Sequence, residues 1–159
     1  FHTLMELYKN VELTEDSTIQ QKLQYWNFQK NELSHYRTVT TLDQITYAMV
    51  SGKYLIYSML DNSIRVIYED TNKLFLNLYG HKLPVLSFDV SSDGTLLISG
   101  SADKNVKLWG LDFGDCHKSF FAHTDSVTCF KFVKDTHYFF SCGKDRAIRY
   151  WDADSVRLF

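Results

Sequence analysis

Two tryptophans 42 residues apart constrain this chain more than anything else in it. Laying residues 80–109 over 122–151 without a gap brings His81 onto His123, Val85 onto Val127 and Phe88 onto Phe130. It also pairs Asp93 with Asp135, Ser99 with Ser141, Asp103 with Asp145 and Trp109 with Trp151. From Gly52 onward the preceding stretch keeps the register, with Gly52 on Gly94, Leu55 on Leu97 and Asp61 on Asp103. Ile67 then stands where the tryptophan would be, and Trp26 lies one further step back. Four evenly spaced centres result: "LQYWN", "IRVIY", "VKLWG" and "IRYWD". A period of this length means a repeated supersecondary unit, so it has to be recognised before local structure is assigned.

Each period reads as strands. "PVLSFDVS" alternates as a half-buried strand does, and "SSDGT" is a turn in which Gly94 is free to take positive φ. "LLISGS" is a short apolar strand, "ADKN" a tight turn before "VKLW", and "LDFGDC" a loop before "HKSFFAH". Aromatic residues at 16% and a single proline suit strands as well. Four strands per 42 residues is the content of one β-propeller blade. The fold class is therefore all-β, with about four blades. Residues 1–35 form a divergent partial blade, 36–77 a degenerate one, and 78–119 and 120–159 two regular ones, the last with an incomplete outer strand at "SVRLF".

Histidine, serine and aspartate within residues 80–109 are the residue types of a nucleophilic hydrolase. An enzyme needs one such constellation, and here there are two, one period apart. These residues resemble the WD-repeat β-propeller family. That resemblance implies a hydrogen-bonded line pinning each blade, from Trp109 to Ser99 to His81 to Asp103, and again from Trp151 to Ser141 to His123 to Asp145. The chemistry suits structure: indole only donates, hydroxyl and neutral imidazole do both, and carboxylate only accepts. No buried polar group is left over, and the bonds polarise one another. Asp152 keeps the aspartate of the repeat's name, whereas Gly110 follows Trp109 and Ala122 precedes His123. The unit 36–77 lacks the histidine and tryptophan, so Leu55, Ile56, Ile64, Val66 and Ile67 are expected to hold it by packing. In the first unit "STIQQ" reads as an inserted loop.

Seven blades is the usual number that the resemblance implies. Blades bury each other's faces, so the chain is expected to be part of a larger propeller. The text is also more specific than that. "LYGHKLPV", "MLDNSIRVIY" and above all "WGLDFGDCHKS" (residues 109–119) resemble the WD-repeat subunits of the small-subunit processome that associate with the U-three small nucleolar RNA, in the UtpB subcomplex. The resemblance runs from about residue 36 to 154. It implies a non-enzymatic nucleolar scaffold without cofactor, metal or small-molecule substrate. The implied partners are other WD-repeat processome subunits, with U-three RNA and the precursor ribosomal RNA reached indirectly. The competing reading is a generic WD-repeat adaptor, such as a ubiquitin-ligase receptor or signalling scaffold.

Charge fits protein contacts better than a direct RNA grip. Residues 1–79 hold 7 Lys/Arg against 9 Asp/Glu, and residues 80–159 hold 10 against 10, so neither half carries a basic footprint. The three cysteines, Cys116, Cys129 and Cys142, show no paired zinc spacing. There is no long apolar run for a membrane span. A propeller displays function on its loops. One face is expected to present Lys82, Leu83, Ala102, Lys104, Thr124, Lys144 and Arg146, and the other Leu111, Asp112, Phe113 and Asp115. Lys104, Lys107, Lys144, Arg146 and Arg149 are the candidates for phosphate contact. Phe113, in a Gly-flanked loop, is the sharpest candidate anchor.

Overall fold

A computed structural model describes residues 21–27, 34–155 and 157–158. Every element among them is a strand. They are β1 (Gln21–Asn27), β2 (Ser34–Thr41), β3 (Ile45–Ser51), β4 (Tyr54–Met59), β5 (Ile64–Tyr68), β6 (Leu74–Leu78), β7 (Val85–Val90), β8 (Leu96–Ser101), β9 (Asn105–Gly110), β10 (Cys116–Phe121), β11 (Val127–Phe132), β12 (Tyr138–Gly143), β13 (Ile148–Asp152) and β14 (Arg157–Leu158). β1 and β2 pair as a hairpin. The rest form three antiparallel four-stranded meanders: a first sheet β3–β6, a middle sheet β7–β10 and a last sheet β11–β14. The loop expected at "STIQQ" falls outside the described residues apart from Gln21, as does the side chain of Trp26.

The apolar runs have a simple cause. A sheet between two others buries both faces, so its strands need apolar residues at successive positions. Leu97 and Trp109 of the middle sheet pack with Ile56, Ile64, Val66 and Leu78 of the first. Leu96, Ile98, Val106 and Leu108 pack the other way, against Val127, Phe130, Phe132, Phe139 and Trp151 of the last. All of "LLISGS" is consequently buried, while the matching "YFFSCG" of β12 alternates, because one of its faces has no described sheet against it. Ile98 is 0% exposed and its repeat equivalent Phe140 is 42% exposed. In the first sheet Leu55, Ile56, Ile64, Val66 and Ile67 are all buried, and in place of a tryptophan staple the buried Ser58 hydroxyl bonds Thr46 Oγ1 at 2.7 Å. Gly100 marks how tightly the sheets meet: a Cβ there would run into the Phe130 ring.

Polar links join the sheets too. Asp89 on β7 accepts the Phe132 amide at 2.8 Å and pairs with Lys131 at 3.2 Å, both on β11. Thr46 Oγ1 donates to the Val85 carbonyl at 2.6 Å, and the Asp135 amide donates to Ser92 Oγ at 2.9 Å. Lys118 of β10 donates to the Asp154 carbonyl of the last sheet.

Candidate functional site

Each regular sheet carries one buried polar line. In the middle sheet the Trp109 indole donates to Ser99 Oγ at 2.8 Å, and Ser99 bonds His81 Nε2 at 2.9 Å. His81 Nδ1 then meets Asp103 Oδ2 at 3.0 Å. In the last sheet the matching distances are 2.8 Å from Trp151 to Ser141, 2.8 Å from Ser141 to His123, and 2.9 Å from His123 to Asp145. Because the indole can only donate, Ser99 and Ser141 accept from it and donate onward to Nε2. That leaves Nδ1–H to donate to the carboxylate. At His123 the same nitrogen also lies 2.5 Å from the Arg149 guanidinium, itself only a donor, so two donors crowd Asp145 there and the two lines differ at this point. The serines are fully buried and their hydroxyl protons are committed, so neither is available as a nucleophile.

The aspartates close these lines by gathering donors. Burial would raise the Asp103 carboxyl, but bonds from His81 and from the Lys82 and Asn105 amides outweigh it and hold Asp103 well below the usual carboxylate range. Asp145 behaves alike: burial opposes, while His123, Arg149 and the Thr124 and Ala147 amides hold it down. Asp61, at the matching place in the first sheet, has neither histidine nor tryptophan near it. It caps its own turn through the Ser63 amide and hydroxyl.

The loops at the staple end carry Lys82, Leu83, Lys104, Thr124, Lys144 and Arg146 exposed, with Ala102 half-buried. Lys104 and Arg146 adopt left-handed backbone, φ 71° and 65°, at repeat-equivalent turn positions; Asn62 does so in the first sheet at 68°. Two of the five phosphate candidates are occupied elsewhere. Lys107 donates to Ser119 Oγ at 2.8 Å, and Arg149 is bound to Asp145.

At the other end Asp112, Phe113 and Asp115 are exposed, and Phe113 stands 84% in the open. The loop is pressed on the first sheet: a Cβ on Gly114 (φ 77°) would come within 3.1 Å of Leu76 and Leu78. Leu111 corrects the sequence reading. It is 4% exposed rather than displayed, because its amide donates to the Thr95 carbonyl and turns the side chain into the Trp109 cluster.

The equal charges of residues 80–159 do not cancel in space. The staple end shows four exposed cations, Lys82, Lys104, Lys144 and Arg146, against the exposed Asp125. The opposite end shows Asp93, Asp112, Asp115, Asp135 and Asp154, with Lys134 as an exposed cation among them. A groove of about 560 Å³ between the middle and last sheets is lined there by Asp93, Asp135, His137, Asp152 and Asp154. His137 spans it, with Nδ1 at 2.9 Å from Asp154 and Nε2 at 3.2 Å from Asp93. Hydrogen bonding by Asp154, then by Asp93, raises its pKa. Sequence reasoning missed this bridge, since His137 aligns with Thr95 and no histidine repeats there. The Asp89–Lys131 pair was visible in principle, as opposite charges at one register position.

Among the described residues, Asp112, Asp115 and His117 bring one possible metal-ligand atom each to within 4.8 Å of one another. All three are exposed and Asp115 pairs with His117 at 3.2 Å. Three ligands fall short of the four of a closed structural zinc site.

Residues 6–158 match the family model described as the WDR3 second beta-propeller domain. The chain is 47% identical over 60 residues to the Saccharomyces cerevisiae U3 small nucleolar RNA-associated protein 12, covering 36% of this chain and 6% of that protein. It is 34% identical over 106 residues to the Schizosaccharomyces pombe poly(A)+ RNA export protein, covering 64% of this chain and 30% of that one. The solved structure of U3-55K superposes with a TM-score of 0.70 at 24% identity, covering 72% of this chain and 38% of that chain, a likeness of fold alone. The chain thus spans less than a third of either of these curated relatives.

Proposed function

The chain belongs to the family of the WDR3 second beta-propeller domain, and from that premise we propose that it is a non-enzymatic scaffold of the small-subunit processome. It acts in the nucleolus, assembles with other WD-repeat subunits, and supports processing of the precursor of small-subunit ribosomal RNA. U-three RNA and the precursor are reached through partner proteins. The observation that carries this reading is the 47% identity to U3 small nucleolar RNA-associated protein 12, set within a family match from residue 6 to 158. The stapled serines supply the complementary argument, since both Ser–His–Asp sets are consumed by tryptophan.

The contact surfaces follow from the two loop ends. Phe113 is an exposed aromatic on a loop braced by β6, the arrangement of an anchor residue in a protein interface. The cationic staple end, with Lys82, Leu83, Lys104, Thr124, Lys144 and Arg146, provides a second surface of opposite charge to the Phe113 end.

The test is purification of the tagged parent protein from nuclear extract, followed by probing for U-three RNA and for other WD-repeat processome subunits. Recovery of both is expected. A stable, soluble protein that brings down neither would overturn the processome assignment and leave a WD-repeat adaptor with a different client.

A further inference from the structure

Two of the three free cysteines face each other. Cys129 on β11 and Cys142 on β12 are register partners, one step past the bulge at Thr128. Residues directly opposed in an antiparallel pair have Cα atoms about 4.5–5.5 Å apart, with side chains on the same face. A disulfide accepts Cα separations of about 4.4–6.8 Å and needs the Cβ atoms to close by about 1 Å from the usual cross-strand spacing. The bulge helps, because its extra residue interrupts the ladder locally and lets the strand bend.

The surroundings favour the same chemistry. Cys129 is exposed and Cys142 half-buried, on the face of the last sheet that no other described sheet covers. The corresponding pair in the middle sheet is Ser87 and Gly100, where Phe130 leaves no room for a side chain. The open face of the last sheet removes that restriction, and a thiol occupies the position. Burial pushes the Cys129 thiol up, and the neighbouring Cys142 adds to the effect; this lowers the thiolate fraction and slows the first attack, so it is the pairing geometry that carries the site. Cys116 has no such neighbour, since its register partner is Trp109.

We propose that Cys129 and Cys142 form a reversible oxidation site that closes to an intramolecular disulfide, with a low-molecular-weight disulfide such as oxidised glutathione as the oxidant. The thiolate of one cysteine attacks a sulfur of the small disulfide, whose S–S bond breaks and releases one small thiolate. The second cysteine, as thiolate, attacks the protein-side sulfur of the mixed disulfide and expels the other. Two protein thiols are oxidised, one small disulfide is reduced to two thiols, and the two protons lost by the protein are taken up by the leaving thiolates.

The experiment is incubation of the purified protein with oxidised glutathione, alkylation of remaining thiols, and peptide mapping by mass spectrometry. The expected product is a Cys129–Cys142 link, seen as a loss of about 2 Da and reversed by dithiothreitol, with Cys116 carrying a glutathione adduct. In Cys142→Ser the link is replaced by a lasting adduct on Cys129. Stable adducts on both Cys129 and Cys142 of the unaltered protein, or both thiols staying free, would overturn the proposal. Mapping the unaltered protein decides the matter even if the variant does not fold.

Discussion

Replacing Ser99 with alanine removes one oxygen and orphans two buried groups. The Trp109 indole N–H loses its acceptor at 2.8 Å, and His81 Nε2 loses its donor at 2.9 Å. Ser99 is 0% exposed, so water does not stand in for it. Each unsatisfied buried group costs about 1–3 kcal/mol, which puts the variant about 2–6 kcal/mol below the parent. For a chain of this length that lowers Tm by about 4–24 °C. Ser141→Ala repeats the experiment one period later, on the same geometry, and should give a loss of similar size. The assay is thermal unfolding by circular dichroism, with urea titrations to confirm that the slope is unchanged. If these serines were nucleophiles, alanine would abolish a reaction and leave stability almost untouched. A loss below about 0.5 kcal/mol in both variants would refute the staple.

Further outcomes follow from the same contacts. Asp103 and Asp145 are held below the usual carboxylate range, so their contribution is present above about pH 4 and is lost as pH falls through the lower folded value. Asp103→Asn should therefore show a shallower fall of Tm with acidification than the parent. The raised pKa of His137 has the opposite sign: its bridge between Asp93 and Asp154 is fully present below about pH 6.5 and is lost as pH rises through the folded value. His137→Gln should flatten the dependence of Tm on pH across the neutral range. Gly100→Ala drives a methyl into Phe130 and should cost about 1–3 kcal/mol in a chemical denaturation series. Leu111→Asp should destabilise the fold, whereas Phe113→Asp should leave Tm unchanged and, on the proposed function, weaken co-purification with the proposed partner subunits.

Periodicity made the blades legible, and the resemblance to the WD-repeat family, not the period itself, supplied the order of both staples. The four residues of a staple recur at fixed offsets in one unit, and their donor and acceptor roles suit the arrangement that the resemblance implies. The links between sheets were harder. Asp89 and Lys131 share a register position, yet contact between them requires knowing that adjacent blades stack in parallel. His137 has no repeat counterpart, so no alignment within the chain points to its two aspartates. Leu111 was misplaced because a residue beside an exposed loop reads as loop, while a single amide bond to Thr95 turns it inward. The separation of charge into two ends was hidden by equal totals, which carry no information about which turn each residue occupies.

The most direct test of the central claim, that these serines, histidines and aspartates serve architecture, is the protonation pattern of His81 and His123 by nitrogen-detected nuclear magnetic resonance. The account expects both rings as the Nδ1–H tautomer, with the indole protons of Trp109 and Trp151 protected from solvent exchange. Rings in the Nε2–H tautomer, with freely exchanging indoles, would contradict it and return the serines to the list of reactive groups.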